Sequence, residues 1–144
     1  MVENMTYSIL LVDDSLPMRA VLKKTLKAAG YSNSEFHQAA NGKEALDMVK
    51  DKWIDIVITD YNMPVMNGME FIIELKKDST FKDTPVIIVS TEGSQKKIDE
   101  FKARGATGYI TKPFTPETIR ETMIDILGEM HDGELDEDDE ELDF

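Results

Sequence analysis

Two hydrophobic rhythms alternate along the chain. Nearly unbroken apolar runs, Ser8 to Val12, Ile54 to Thr59 and Pro85 to Val89, read as strands buried on both faces of a parallel sheet. Between them, apolar residues recur at helical spacing. Val21, Leu22, Thr25, Leu26 and Ala29 share one face of a first helix, which opens near Pro17 and stops at Gly30. Glu35 to Ala40 is a weaker strand, and Asn41 with Glu44 resembles a capping box before a helix through Ala45, Leu46 and Val49. Asn67 and Glu70 repeat that pattern ahead of Phe71, Ile72 and Leu75. A fourth helix runs from about Ser94 to Arg104, with Ile98 and Phe101 inward and Gly105 as its stop. Gly108 to Thr111 is the last strand. Thr115 and Pro116 then open a helix that turns Ile119, Met123, Ile126 and Leu127 inward. Five strand-helix units with right-handed crossovers predict an α/β fold: a five-stranded parallel sheet with helices on both faces.

This arrangement brings chemistry to one edge. Asp13, Asp14, Asp60, Ser90, Thr91 and Lys112 all fall at carboxyl ends of strands, where open α/β sheets keep their sites. Each alone fits a helix cap, a turn or a solvated position. Their convergence, from positions up to 99 residues apart, does not. Three neighbouring carboxylates repel unless a cation neutralises them, and an all-oxygen donor set favours Mg²⁺ or a similar hard ion. With Lys112 as a fixed positive charge and Ser90 as a hydroxyl donor, the cluster suits a carboxylate nucleophile attacking phosphorus, and Asp60 is the candidate acceptor. Pro64 and Asn67-Gly68 close the loop beyond it.

Composition narrows the picture. The 144 residues suit one domain with its own core. No cysteine is present, which excludes thiol chemistry and fits a reducing cytoplasm. No apolar run reaches membrane-spanning length and no signal peptide is evident, so a soluble protein is expected. A net charge of −13 argues against nucleic acid. Nine acidic residues and no basic one lie between 132 and 144, however, so the other 131 residues carry only −4.

The motifs Leu-Val-Asp13-Asp14-Ser, Asp60-Tyr-Asn62-Met-Pro64 with Gly68, Ile-Ile-Val-Ser90-Thr91 and Gly-Tyr109-Ile-Thr-Lys112-Pro113-Phe resemble the receiver domain of two-component response regulators over about residues 6 to 128. The stand-alone chemotaxis regulators are the nearest kind. The resemblance implies a flavodoxin-like sheet of order 2-1-3-4-5. It implies that Asp60 accepts a phosphoryl group from a histidine kinase, with Mg²⁺ held by Asp13, Asp14, Asp60 and the Asn62 backbone carbonyl. Lys112 would pair with the phosphoryl group, backbone at Asn62 and Thr91 would contact it, and the Lys112-Pro113 bond would be cis. Ser90 and Tyr109 would form the switch, read out by a partner protein on the face of the fourth helix, fifth strand and fifth helix. Asn62 and Glu92 would tune dephosphorylation, with a separate phosphatase as a possible further partner; a monomer is expected. Two alternatives are a phosphorelay shuttle or phosphate sink, and a haloacid-dehalogenase-like phosphatase. The latter needs an aspartate as general acid where this chain has Asn62.

Residues 129 to 144 depart from the family as an acidic tail following a receiver domain at 1 to 128. A like-charge block of this kind is usually solvated. Leu135, Leu142 and Phe144 interrupt it, which suggests a tethered competitor for the basic fourth helix with Lys96, Lys97, Lys102 and Arg104. His37 is read as a strand-surface residue, Trp53 as a packing or edge residue, and the nine methionines as core or gap filling.

Overall fold

The computed structural model describes residues 6–128. Five parallel strands, β1 (Ser8–Val12), β2 (Glu35–Ala39), β3 (Ile56–Asp60), β4 (Val86–Ser90) and β5 (Gly108–Thr111), form one sheet in the order β2-β1-β3-β4-β5. The register pairs Val12 with Ala39 and Thr59, Asp60 with Val89, and Ser90 with Thr111. Five helices connect them: α1 (Leu16–Leu26), α2 (Gly42–Asp51), α3 (Gly68–Lys77), α4 (Gln95–Ala103) and α5 (Pro116–Met123).

The apolar runs split by alternation into two cores. Ile9, Leu11, Ile56, Ile58, Ile87 and Val89 face α1 and α5, where Leu22, Leu26, Ile119 and Met123 meet them. Leu10, Val12, Val57, Val86 and Ile88 face the other way, onto Ala45, Val49, Phe71, Ile72, Leu75 and Phe101. A continuous hydrophobic strand is therefore what a sheet covered on both sides requires.

Side chains set the helix ends. Ser15, Asn41, Asn67, Ser94 and Thr115 cap the five amino termini, each accepting a backbone N–H three residues on. Asn67 and Glu70 form a full capping box. At α2 the reciprocal bond slips by one residue: the Glu44 carboxylate takes the Ala40 N–H at 2.8 Å, which removes Ala40 from β2. Helices α1 and α5 each run on through a π-helical turn, Lys27–Tyr31 and Ile124–Gly128. Gly30 stands in the first of these at φ 112°, the left-handed geometry of a C′ glycine.

Two strands lie one or two residues later than the hydrophobic pattern predicts. Asp60 belongs to β3 because it pairs with Val89, whereas Ile54 precedes the strand and Asp55 turns its carboxylate to the Ser8 N–H at 2.7 Å. Pro85 has no N–H for the ladder, so β4 begins at Val86 and ends on Ser90. Other expectations change as well. Val21 is 47 % exposed instead of inward, Ile98 and Leu46 are only half-buried, and Trp53 is 79 % exposed, with its indole N–H on Asp55. His37 is half-buried and sits 3.5 Å from the Glu35 carboxylate.

Candidate functional site

The carboxyl edge of the sheet places Asp13 just past β1, Asp60 as the last residue of β3, Ser90 as the last of β4, and Lys112 just past β5. Asp13, Asp60 and Ser90 are buried, and Asp14 is exposed. Asp13, Asp14 and Asp60 each offer a carboxylate oxygen within 4.8 Å of the others. Lys112 Nζ donates to Asp60 Oδ1 at 3.1 Å, closing the ring across 52 residues of sequence. The Lys112-Pro113 peptide is cis.

Each carboxylate is held by local structure. The Asp13 N–H donates to the Ala39 carbonyl at 3.1 Å, which extends the β1–β2 ladder by one bond. Its Oδ1 accepts the Ser15 N–H at 2.9 Å, and Arg19 donates to its backbone carbonyl. Burial pushes the Asp13 carboxyl above the usual carboxylate range; Asp60 and Asp14 push the same way, while the Ser15 N–H and Lys112 pull back. The position of Asp60 depends on Gly68. A Cβ there would lie 2.6 Å from the Asp60 carbonyl oxygen, so only glycine lets the start of α3 fold back so closely onto the strand end.

The intervening loop carries strain. Val65 has φ 68°, and the Met66 N–H bonds back to the Pro64 carbonyl at 2.7 Å, giving a γ-turn around a β-branched residue. This turn aims the Met66 carbonyl at the Gly42 N–H, 2.9 Å away, which anchors the loop to the start of α2.

On the other side, Ser90 Oγ accepts the Glu92 N–H at 3.1 Å, leaving the hydroxyl hydrogen available to another acceptor. The Tyr109 hydroxyl donates to the Glu92 carbonyl. Asn62, Thr91 and Glu92 are exposed at the rim, and Tyr109 is half-buried. The pattern of the sequence does not single out Lys97, yet its ammonium lies 5.3 Å over the Tyr61 ring, 3.4 Å from Glu100 and 3.9 Å from Glu92. Phe101 packs between Tyr61, at 5.0 Å and edge-on, and Tyr109, at 5.6 Å. Helix spacing marks Lys97 only as a surface lysine; its contact with Tyr61 depends on how α4 docks.

The response regulator receiver domain family matches residues 9–124. The chain belongs to that family. Among relatives of the receiver, a Campylobacter jejuni chemotaxis protein CheY homolog is 38 % identical over 121 residues, covering 83 % of this chain and 92 % of the relative. Chemotaxis protein CheY1 of Helicobacter pylori is 38 % identical over 121 residues, covering 83 % and 96 %. In three dimensions the receiver is similar to CheY4 of Vibrio cholerae, with a TM-score of 0.75 and 42 % identity over 84 % of this chain and 98 % of that one. It is also similar to a chain in the CheX-CheY-BeF3-Mg complex of Borrelia burgdorferi, with a TM-score of 0.75 and 27 % identity over 84 % and 89 %. The parallel sheet, the five helices and the strand order bear out the expected fold. The receiver is a signalling domain. Among the described residues no helix is long and apolar enough to cross a membrane.

Proposed function

We propose that this receiver takes a phosphoryl group onto Asp60 from a histidine kinase and thereby switches its binding to a partner protein in chemotaxis. The observation that carries this reading is the environment of Asp60: an ammonium 3.1 Å away and two further carboxylates at its edge. The three carboxylates form an all-oxygen donor set that fits Mg²⁺. Asp13, Asp14, Asp60 and the Asn62 carbonyl would hold the ion, which supplies positive charge against the phosphoryl oxygens.

The residues divide the work. An Asp60 carboxylate oxygen attacks phosphorus; a new P–O bond forms as the P–N bond to the kinase histidine breaks, and the imidazole leaves with the electron pair and takes up a proton. Lys112 holds one phosphoryl oxygen by charge, and the Ser90 hydroxyl hydrogen donates to another. Backbone N–H groups at Asn62 and Thr91 complete the cradle. Drawing Ser90 toward the phosphoryl group pulls on the Glu92 N–H it now accepts, and the Glu92 carbonyl in turn holds Tyr109. That route leads to the α4, β5 and α5 face, where the partner reads the state.

A cytoplasmic protein with a receiver domain at 1 to 128 and no catalysis on external substrates completes the reading. Asn62, where a hydrolase would need an acid, supports the last point. The tethered-competitor expectation for 129–144 lies outside the described residues.

The test is Mg²⁺-dependent phosphoryl uptake from a phosphohistidine donor. Wild type should take up one phosphoryl group that is labile to base and to hydroxylamine, and Asp60→Asn none. Equal labelling of the variant would overturn the assignment. Stoichiometric passage onward to a second histidine protein, without a change in partner affinity, would favour the shuttle.

A further inference from the structure

We infer that the acidic segment from Asp132 to Phe144 docks along α1, with its apolar end at the groove beside Lys112. The argument starts from charge. Residues 15 to 34 include Arg19, Lys23, Lys24 and Lys27 and not one acidic residue, in a chain of net charge −13. Arg19 is occupied by Gln38 and the Asp13 carbonyl, and Lys23 lies 5.6 Å over the Phe36 ring. Lys24 and Lys27 are exposed. The field along α1 is therefore positive despite the sign of the whole molecule.

Helix α4, the other basic candidate, is partly compensated by its own acids. Lys97 pairs with Glu100 and Glu92, and Asp99 takes Gln95. Its remaining cations, Lys96, Lys102 and Arg104, share the helix with Asp99 and Glu100, so residues 95 to 104 carry a net charge of +2 against +4 for residues 15 to 34.

Apolar chemistry points the same way. Leu16 is 63 % and Val21 is 47 % exposed on α1, beside a groove of about 340 Å³ lined by Met18, Val21, Thr91, Lys112, Pro113 and Phe114. The acidic segment carries Leu135, Leu142 and Phe144, two of them at its very end.

Reach fits as well. Helix α5 packs against α1, Arg120 donates to the Ala29 carbonyl at 3.2 Å, and Leu127 shares a core with Ala29 and Tyr31. The described chain thus ends, at Gly128, on the side of the fold where α1 runs out through Lys27. From Leu16 to Tyr31 the helical path is about 24 Å at helical rise. Sixteen residues span about 20–24 Å as an average coil and about 50 Å when extended. Acidic residues would then run past Lys27 and Lys24, and Leu142 and Phe144 would arrive at the groove.

The absence of native cysteine makes the test direct. A spin label on Gly133→Cys in the full chain should selectively broaden amide signals around Lys24 and Lys27, and a label on Asp143→Cys those around Met18, Val21 and Phe114. Both effects should vanish at about 0.5 M salt, where the screening length is only about 4 Å, and in the Lys24→Glu, Lys27→Glu double variant. Broadening centred on residues 95 to 104, none beyond a free-label control, or persistence in the charge-reversed variant would each overturn the inference. The placement is read without phosphorylation, so it fails separately from the phosphoacceptor reading.

Discussion

On the β1–β3 side of the site, three carboxylates crowd within 4.8 Å, and the loop beyond them holds a β-branched residue at positive φ. On the β4–β5 side, Ser90, Glu92, Tyr109 and Lys97 are linked by hydrogen bonds and loose ion pairs, mostly near solvent. The first side stores unfavourable energy that a bound cation would relieve. The second stores little, since exposed pairs contribute only about 0–1 kcal/mol each. A site divided in this way keeps its chemistry on rigid strand ends and its signal in contacts weak enough to rearrange.

The largest expected effect tests the stored repulsion. Replacing Asp13→Asn removes a buried charge that its surroundings disfavour. The metal-free protein should unfold about 4 °C higher, the shift that ~1 kcal/mol produces in a domain of this size. Magnesium at about a hundredfold above its dissociation constant should stabilise wild type by ~2.7 kcal/mol and the variant far less. Thermal melts with and without Mg²⁺ read both quantities. Equal magnesium shifts in the two proteins would break the contrast between the two sides.

Val65 tests the second store on the same side. A non-glycine residue in this conformation costs about 1–3 kcal/mol, and glycine returns about 0.5–1 kcal/mol of that as lost chain entropy. Val65→Gly should therefore raise stability by about 1 kcal/mol, seen as a higher denaturant midpoint with an unchanged slope. An unchanged midpoint would mean that the turn is not strained.

The strand ends are legible in the sequence because the sheet turns one-dimensional cues into position. A buried parallel strand must be largely apolar, so Ser90 stands out as the first polar residue after its run, and Asp60 and Lys112 as the first charged ones. The boundaries slip where backbone bonding decides: Pro85 lacks an N–H, and Asp60 joins β3 through its pairing with Val89. The strain at Val65 is hidden, since nothing in Met-Pro-Val-Met requires a left-handed turn; it arises from docking the Met66 carbonyl on Gly42. Lys97 is hidden for a related reason. Helical periodicity shows which face is polar, but not that Tyr61, from another element, lies beneath one lysine of that face.

On the signalling side the expected effect falls on a rate and not on stability, and it separates two residues of one network. Glu92, two residues beyond Ser90, is exposed at the rim, as Asn62 is on the β3 side, and we propose that both orient an attacking water. Glu92→Leu should lengthen the aspartyl-phosphate lifetime by roughly tenfold, equivalent to about 1.4 kcal/mol of barrier. Lys97→Met leaves that carboxylate in place and removes only exposed pairs and a contact over the Tyr61 ring. Its effect on decay should stay below about fivefold, with Lys97→Arg near wild type. Phosphate release after a single round of labelling measures all three variants. If Lys97→Met equalled or exceeded Glu92→Leu, the lifetime would be governed by how α4 is held against Tyr61, and the signalling side would store energy after all.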